Sequence, residues 1–102
     1  MATRLQFDID AIDAVCRRRH VRRLAVFGSA VTGEFDPGRS DADFLVEFDE
    51  TSTTLLEDYF GLKEDLELLL GAPVDLVAPR ALDNPYFARS VETSLRELYA
   101  AA

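Results

Sequence analysis

At 102 residues, with 48% hydrophobic and 29% charged residues, the chain has the make-up of a soluble globular domain. That length suits one core and is too short for two ordinary ones, so residues 1–102 are expected to form a single domain. The formal net charge of -8 excludes a general nucleic-acid binder, which needs a basic surface, and no stable nucleic-acid binding is expected.

No apolar run is long enough to span a bilayer, and the start has no signal-peptide core. The single cysteine, Cys16, excludes an intrachain disulfide and fits a reducing interior. These features together predict a cytoplasmic protein with no membrane association.

Asp8 or Asp10 caps a first helix, in which Ile9, Ile12, Val15 and Cys16 recur at helical spacing to about Arg19. Arg17, Arg18, Arg19, Arg22 and Arg23 crowd around His20. They read as a helix C-terminus followed by a solvated strand edge, with a basic patch for a polyphosphate or an acidic partner as the alternative. Val21 to Phe27 is a short buried strand, and Ser29 to Thr32 a helical turn stopped by Gly33. Residues 34–40 form a polar loop punctuated by Pro37-Gly38.

Ala42 to Phe48 is a second strand, with Phe44, Val46 and Phe48 on one face and Asp41, Asp43, Leu45 and Glu47 on the other. Thr53 or Thr54 caps a long helix with Leu55, Leu56, Tyr59, Phe60, Leu66, Leu69 and Leu70 as its apolar stripe. Gly61 is a tolerated weakness inside that helix, and Gly71 with Pro73 ends it. Residues 74–77 form a third strand. Asn84 and Pro85 open a last helix that buries Phe87, Val91, Leu95, Leu98 and Tyr99. The expected architecture is a two-layer α/β (α+β) sandwich, a small mixed sheet of about three strands with helices on one face.

The chemistry concentrates between Gly28 and Asp43. Two carboxylates one residue apart on a strand share a face, and like charges that close repel unless a cation offsets them. Asp8-Ile9-Asp10 has the same acid-x-acid spacing, but it lies at a helix start and reads as capping. Asp75, flanked by apolar Val74 and Leu76, faces away from both. Pairing its strand with residues 42–48 in a suitable register brings it beside Asp41 and Asp43. Three carboxylates on one sheet face can hold two hard cations, the arrangement that supports in-line displacement at phosphorus. Gly28 lets the backbone approach a phosphate, and Ser29 supplies a hydroxyl donor.

Gly28-Ser29 through Ser40-Asp41-Ala42-Asp43, with Asp75, resembles the signature of the polymerase-beta-like nucleotidyltransferase superfamily. The Phe-Gly-Ser start, the Leu-Val-Glu-Phe continuation and Asn84-Pro85-Tyr86 resemble its minimal nucleotidyltransferase (MNT) branch. The resemblance implies that Asp41 and Asp43 bridge Mg²⁺ to the phosphates of ATP. It further implies that Asp75 ligates the metal at the attacking hydroxyl and helps remove its proton. Gly28, Ser29 and the second glycine, Gly33, would contact the nucleotide, and Ser40 would brace the loop beside it. Members of this branch pair with a HEPN-domain toxin as its antitoxin and can transfer AMP to a toxin tyrosine.

The implied activity is therefore a Mg²⁺-dependent protein adenylyltransferase, releasing pyrophosphate, with a HEPN toxin as partner. The alternatives are an antitoxin that works by contact alone and an adenylyltransferase for a small molecule. A homo-oligomer is left open. One departure stands out: Ala30-Val31-Thr32 occupies the turn where many relatives carry arginine, leaving Arg39 or the Arg22/Arg23 pair to supply the positive charge.

Overall fold

In the computed structural model, residues 6–36 and 38–101 are described. Pro37, read above as punctuating a loop, lies outside them. Asp8 caps helix α1 (Ile9–Arg18) by accepting a hydrogen bond from the Ala11 amide at 3.1 Å. Ile12, Val15 and Cys16 form its buried stripe. Burial pushes the Cys16 thiol up to about 12, helped by the Asp13 charge, so it is a packed apolar side chain and not a nucleophile. His20, in a left-handed conformation at φ 58°, turns the chain into strand β1 (Val21–Phe27). The short turn α2 (Ser29–Thr32) ends at Gly33, φ 90°.

Strand β2 (Ala42–Phe48) runs antiparallel to β1, and its parity is as expected: Ala42, Phe44 and Val46 are buried. Helix α3 (Leu55–Leu70) ends on left-handed Gly71 and leads to β3 (Val74–Val77), which is parallel to β2. A 3₁₀ turn (Pro79–Asp83), not foreseen from the sequence, precedes α4 (Pro85–Glu92). Asn84 Oδ1 caps α4 by accepting from the Tyr86 and Phe87 amides.

The chain then departs from the expected long last helix. It forms a fourth strand, β4 (Arg96–Ala100), antiparallel to β1, and the sheet order is β3-β2-β1-β4. Val91, Leu95 and Leu98 satisfy a helical template, which is why the sequence misleads here. An irregularity in the β1–β4 pairing, between Leu24–Tyr99 and Ala25–Glu97, hides the period-two pattern that marks a strand.

Ile12, Cys16, Leu24, Phe44, Leu62 and Leu66 make the centre of the core between sheet and helices. On α3 the buried residues are Asp58, Leu62 and Leu66, whereas Leu55, Leu56, Phe60 and Leu69 of the expected stripe are exposed. The helix carries leucine on several sides, so counting apolar residues does not determine its rotation; polar anchors supply that information. Asp58, only 3% exposed, accepts from Ser52 Oγ at 2.7 Å and Thr54 Oγ1 at 3.2 Å, and meets His20 Nδ1 at 3.0 Å. Arg19 Nε donates to Asp65 at 2.9 Å, its guanidinium lying where a Cβ on Gly61 would stand. Gly61, a weakness by helix propensity, leaves room for that crossing.

These anchors predict an acid limb of unfolding. Hydrogen bonds from Arg19, then Arg18, lower the Asp65 pKa against the opposing effect of burial. Burial acts most strongly on Asp58 and raises its pKa, but hydrogen bonds from Ser52, His20 and Thr54 outweigh it and the net shift is downward. A depressed folded pKa means that the unfolded chain binds protons first. The stabilisation is therefore complete above the ordinary aspartate value of about 3.9 and is lost as pH falls through the lower folded values. Urea midpoints measured down to about pH 3 should fall steeply for the natural chain and less steeply for Asp65→Asn. Identical slopes would remove Asp65 from this account.

The sheet face away from α1 and α3 is not fully open. Phe87 of α4 packs edge-on against Phe27, with ring centroids 5.8 Å apart. The 3₁₀ turn supplies Pro79 and Leu82 to a cavity of about 240 Å³ over Ala25 and Leu45. The connection from β3 to β4 therefore covers part of this face.

Candidate active site

Gly28 closes β1 at φ 77° and ψ -149°, a conformation that L side chains rarely adopt. A Cβ there would also stand 3.1 Å from Asp43 Oδ2. The backbone conformation strains any side chain here, and a Cβ would also press on the Asp43 carboxylate. The Gly28 amide donates to Ser94 Oγ at 2.8 Å, while its carbonyl accepts from the Val31 and Thr32 amides at 3.0 and 3.2 Å. Ser29 Oγ has no hydrogen-bond partner among the described residues. Ser94 reaches the turn from 66 residues away, a link that no local pattern announces.

Among the described residues between Gly33 and Asp41, Phe35, Asp36 and Ser40 make contacts that a polar loop does not suggest. Phe35 is 1% exposed and joins the core. Ser40 Oγ accepts from the Asp36 amide at 3.0 Å, and the Ser40 amide donates to the Asp36 carbonyl at 2.9 Å. This reciprocal pair closes the loop that delivers Asp41. The Ala42 amide then donates to the Pro73 carbonyl at 2.8 Å, setting the start of β2 against the start of β3.

That register puts Asp43 directly beside Asp75, as paired positions of two parallel strands. Asp41, exposed, immediately precedes β2. Burial raises the pKa of Asp43, and the charges of Asp75 and then Asp41 raise it further. Among the described residues no cation pairs with any of the three. An uncompensated set of oxygen donors matches in kind what a hard divalent ion requires. As they stand, the described residues include no group of three acidic, histidine or cysteine side chains gathered closely enough to hold a metal.

The basic cluster lies elsewhere and is neutralised. Arg17 pairs with Asp13, Arg18 and Arg19 with Asp65, Arg22 with Glu47 at 3.5 Å, and Arg23 with Glu97 at 2.9 Å. Arg22 and Arg23 sit at the opposite end of β1 from Gly28, so they do not supply charge to the Gly28 turn. A cavity of about 410 Å³ at that far end, lined by Arg22, Asp49, Glu50, Thr51 and Ala101, is likewise remote from the acids.

A glycine turn thus approaches Asp43, which is in register with Asp75 and follows Asp41 by two residues. The profile of the nucleotidyltransferase domain matches residues 9–98. The chain belongs to the nucleotidyltransferase family.

This nucleotidyltransferase is 42% identical over 78 residues to the protein adenylyltransferase MntA of Thermococcus cleftensis, spanning 76% of the chain and 72% of that protein. A solved structure described as a candidate minimal nucleotidyltransferase superposes with a TM-score of 0.67 at 39% identity, covering 86% of each chain. These likenesses place the nucleotidyltransferase in the minimal branch of the polymerase-beta-like superfamily. A complex of a tri-AMPylated HEPN toxin with an MNT antitoxin from Shewanella oneidensis shares the fold. Its TM-score is 0.56 at 21% identity, over 91% of this chain and 70% of that one.

Proposed function

We propose that the chain is a Mg²⁺-dependent protein adenylyltransferase that moves AMP from ATP to a hydroxyl of a HEPN-domain toxin in the cytoplasm, and so acts as an antitoxin. The observation that carries this reading is the register of Asp43 against Asp75 beside Gly28. The adenylyltransferase name of MntA and the AMPylated toxin bound to an MNT antitoxin support the donor and the partner.

In this mechanism Asp41, Asp43 and Asp75 would hold Mg²⁺, and the chemistry it would supply when bound is neutralisation of phosphate charge. Gly28 brings the backbone close to the phosphates, and Ser29 donates its free hydroxyl to them. Gly33 ends the turn that carries Ser29, and Ser40 keeps the loop closed so that Asp41 stays beside Asp43. Asp75 accepts the proton of the acceptor hydroxyl, a tyrosine of the toxin, as its oxygen attacks the α-phosphorus. The bond from that phosphorus to the bridging oxygen breaks and pyrophosphate leaves.

Incubating the protein with ATP labelled at the α-phosphate, Mg²⁺ and a HEPN partner should label the partner, with the label on tyrosine after proteolysis. An unlabelled but inhibited toxin would replace this reading with neutralisation by contact. Label on a low-mass acceptor without partner would replace it with small-molecule transfer.

A further inference from the structure

We infer that Arg39 is the residue that binds the outer phosphates of the nucleotide, an inference that rests on the adenylyltransferase reading above. Electrostatics sets the need. Three carboxylates and a triphosphate of about four negative charges outnumber what two divalent cations neutralise. The turn after Gly28 offers only Ala30, Val31 and Thr32, none of them charged. Between Gly28 and Asp43 the chain carries one basic residue, Arg39.

The basic cluster around His20 is committed elsewhere, and Arg80 and Arg89 lie outside the Gly28–Asp43 segment, in the 3₁₀ turn and in α4. Arg17, Arg18, Arg19, Arg22 and Arg23 are held by carboxylates. Arg96 lies over the Phe7 ring, 5.9 Å from its centroid. The Arg39 side chain is different: it is 86% exposed, and its Nε stands 3.8 Å from Asp36 Oδ2, at the outer limit of an ion pair. A surface contact that long contributes little, so turning the guanidinium toward a phosphate costs little.

The backbone that carries Arg39 is held in place. The Arg39 and Ser40 amides both donate to the Asp36 carbonyl, at 3.0 and 2.9 Å, and buried Phe35 anchors the loop. Two residues of chain, at most about 7 Å, separate Arg39 from Asp41. A planar guanidinium on a fixed base at that distance suits two phosphate oxygens, which it can bind bidentately.

Calorimetric titration of the full chain with ATP and with AMP, using Ca²⁺ in place of Mg²⁺ to suppress turnover, tests this. Arg39→Ala should weaken ATP about tenfold or more while leaving AMP within about twofold, because AMP lacks the outer phosphates. Arg39→Lys should recover part of the loss by restoring charge without the fork. Unchanged ATP affinity in Arg39→Ala, or equal losses for ATP and AMP, would overturn the assignment while the adenylyltransferase reading stands. A natural chain that binds neither nucleotide would overturn both.

Discussion

Asp43→Asn should make the metal-free protein more stable while disabling it. Asp43 sits beside Asp75 and near Asp41 with no cation among the described residues to offset them. Its folded pKa is raised by burial first and by those two charges after it. The folded state thus holds the proton more tightly than the unfolded state does, and stability falls as pH rises through the raised value. At neutral pH the ionised carboxylate opposes folding, and an asparagine of the same shape removes that opposition. A gain of about 0.5–2 kcal/mol is expected from urea unfolding without metal, the usual return from relieving a poorly placed charge.

On the proposed reading of Asp43 as a metal ligand, transfer of AMP should fall by at least about a hundredfold, since such a ligand contributes several kcal/mol to reactions of this kind. Adding Mg²⁺ should raise the melting temperature of the natural chain more than that of the variant, because ligand binding stabilises only the state that binds it. A less stable variant, or one retaining most of its transfer rate, would mean that Asp43 is not part of a charged centre of this kind.

Phe35→Ala should give the opposite signature, losing stability and activity together. The ring is 1% exposed and packs into the core from a loop that is otherwise polar. Truncating a buried phenylalanine to alanine costs about 3–5 kcal/mol, a large share of the roughly 5–15 kcal/mol that holds a domain folded. The same ring anchors the loop on which Ser40 and Asp41 are mounted. Transfer should therefore be impaired even at temperatures where the variant remains folded by circular dichroism. A loss of less than about 1 kcal/mol would show that the loop holds its shape without Phe35.

The two variants mark the limits of what the sequence discloses. Side-chain parity is local, so the apolar face of Phe44 and Val46, with Asp43 on the other side of the strand, could be read directly from residues 42–48. Asn84-Pro85, Gly33 and Gly71 announced their helix boundaries through backbone chemistry that each residue carries alone. Register is a relation between distant segments. The Ala42–Pro73 hydrogen bond and the pairing of Asp43 with Asp75 have no local trace, because alternation along each strand is compatible with more than one register.

The failures have the same origin. The rotation of α3 is set by Asp58 and by Arg19 crossing Gly61, both partnered outside the helix, so a leucine count could not find it. β4 imitates a helix because its pairing irregularity breaks the alternation. Phe35 gives no signal of its burial, because a lone aromatic residue among polar neighbours has no periodicity.

The hydrogen bond from the Gly28 amide to Ser94 Oγ bears on the order in which the protein can mature. Contacts of long sequence separation close late, after the entropy of the intervening loop has been overcome. During synthesis, which proceeds at about 5–20 residues per second, β1 and β2 emerge and can pair well before Ser94 exists. The Gly28 turn stays unfastened through that interval and is clasped only when the segment leading into β4 docks along β1. Slow hydrogen exchange at the Gly28 amide would therefore report completion of the sheet. The nucleotidyltransferase is thus given its finished Gly28 turn only after its far edge has been laid down.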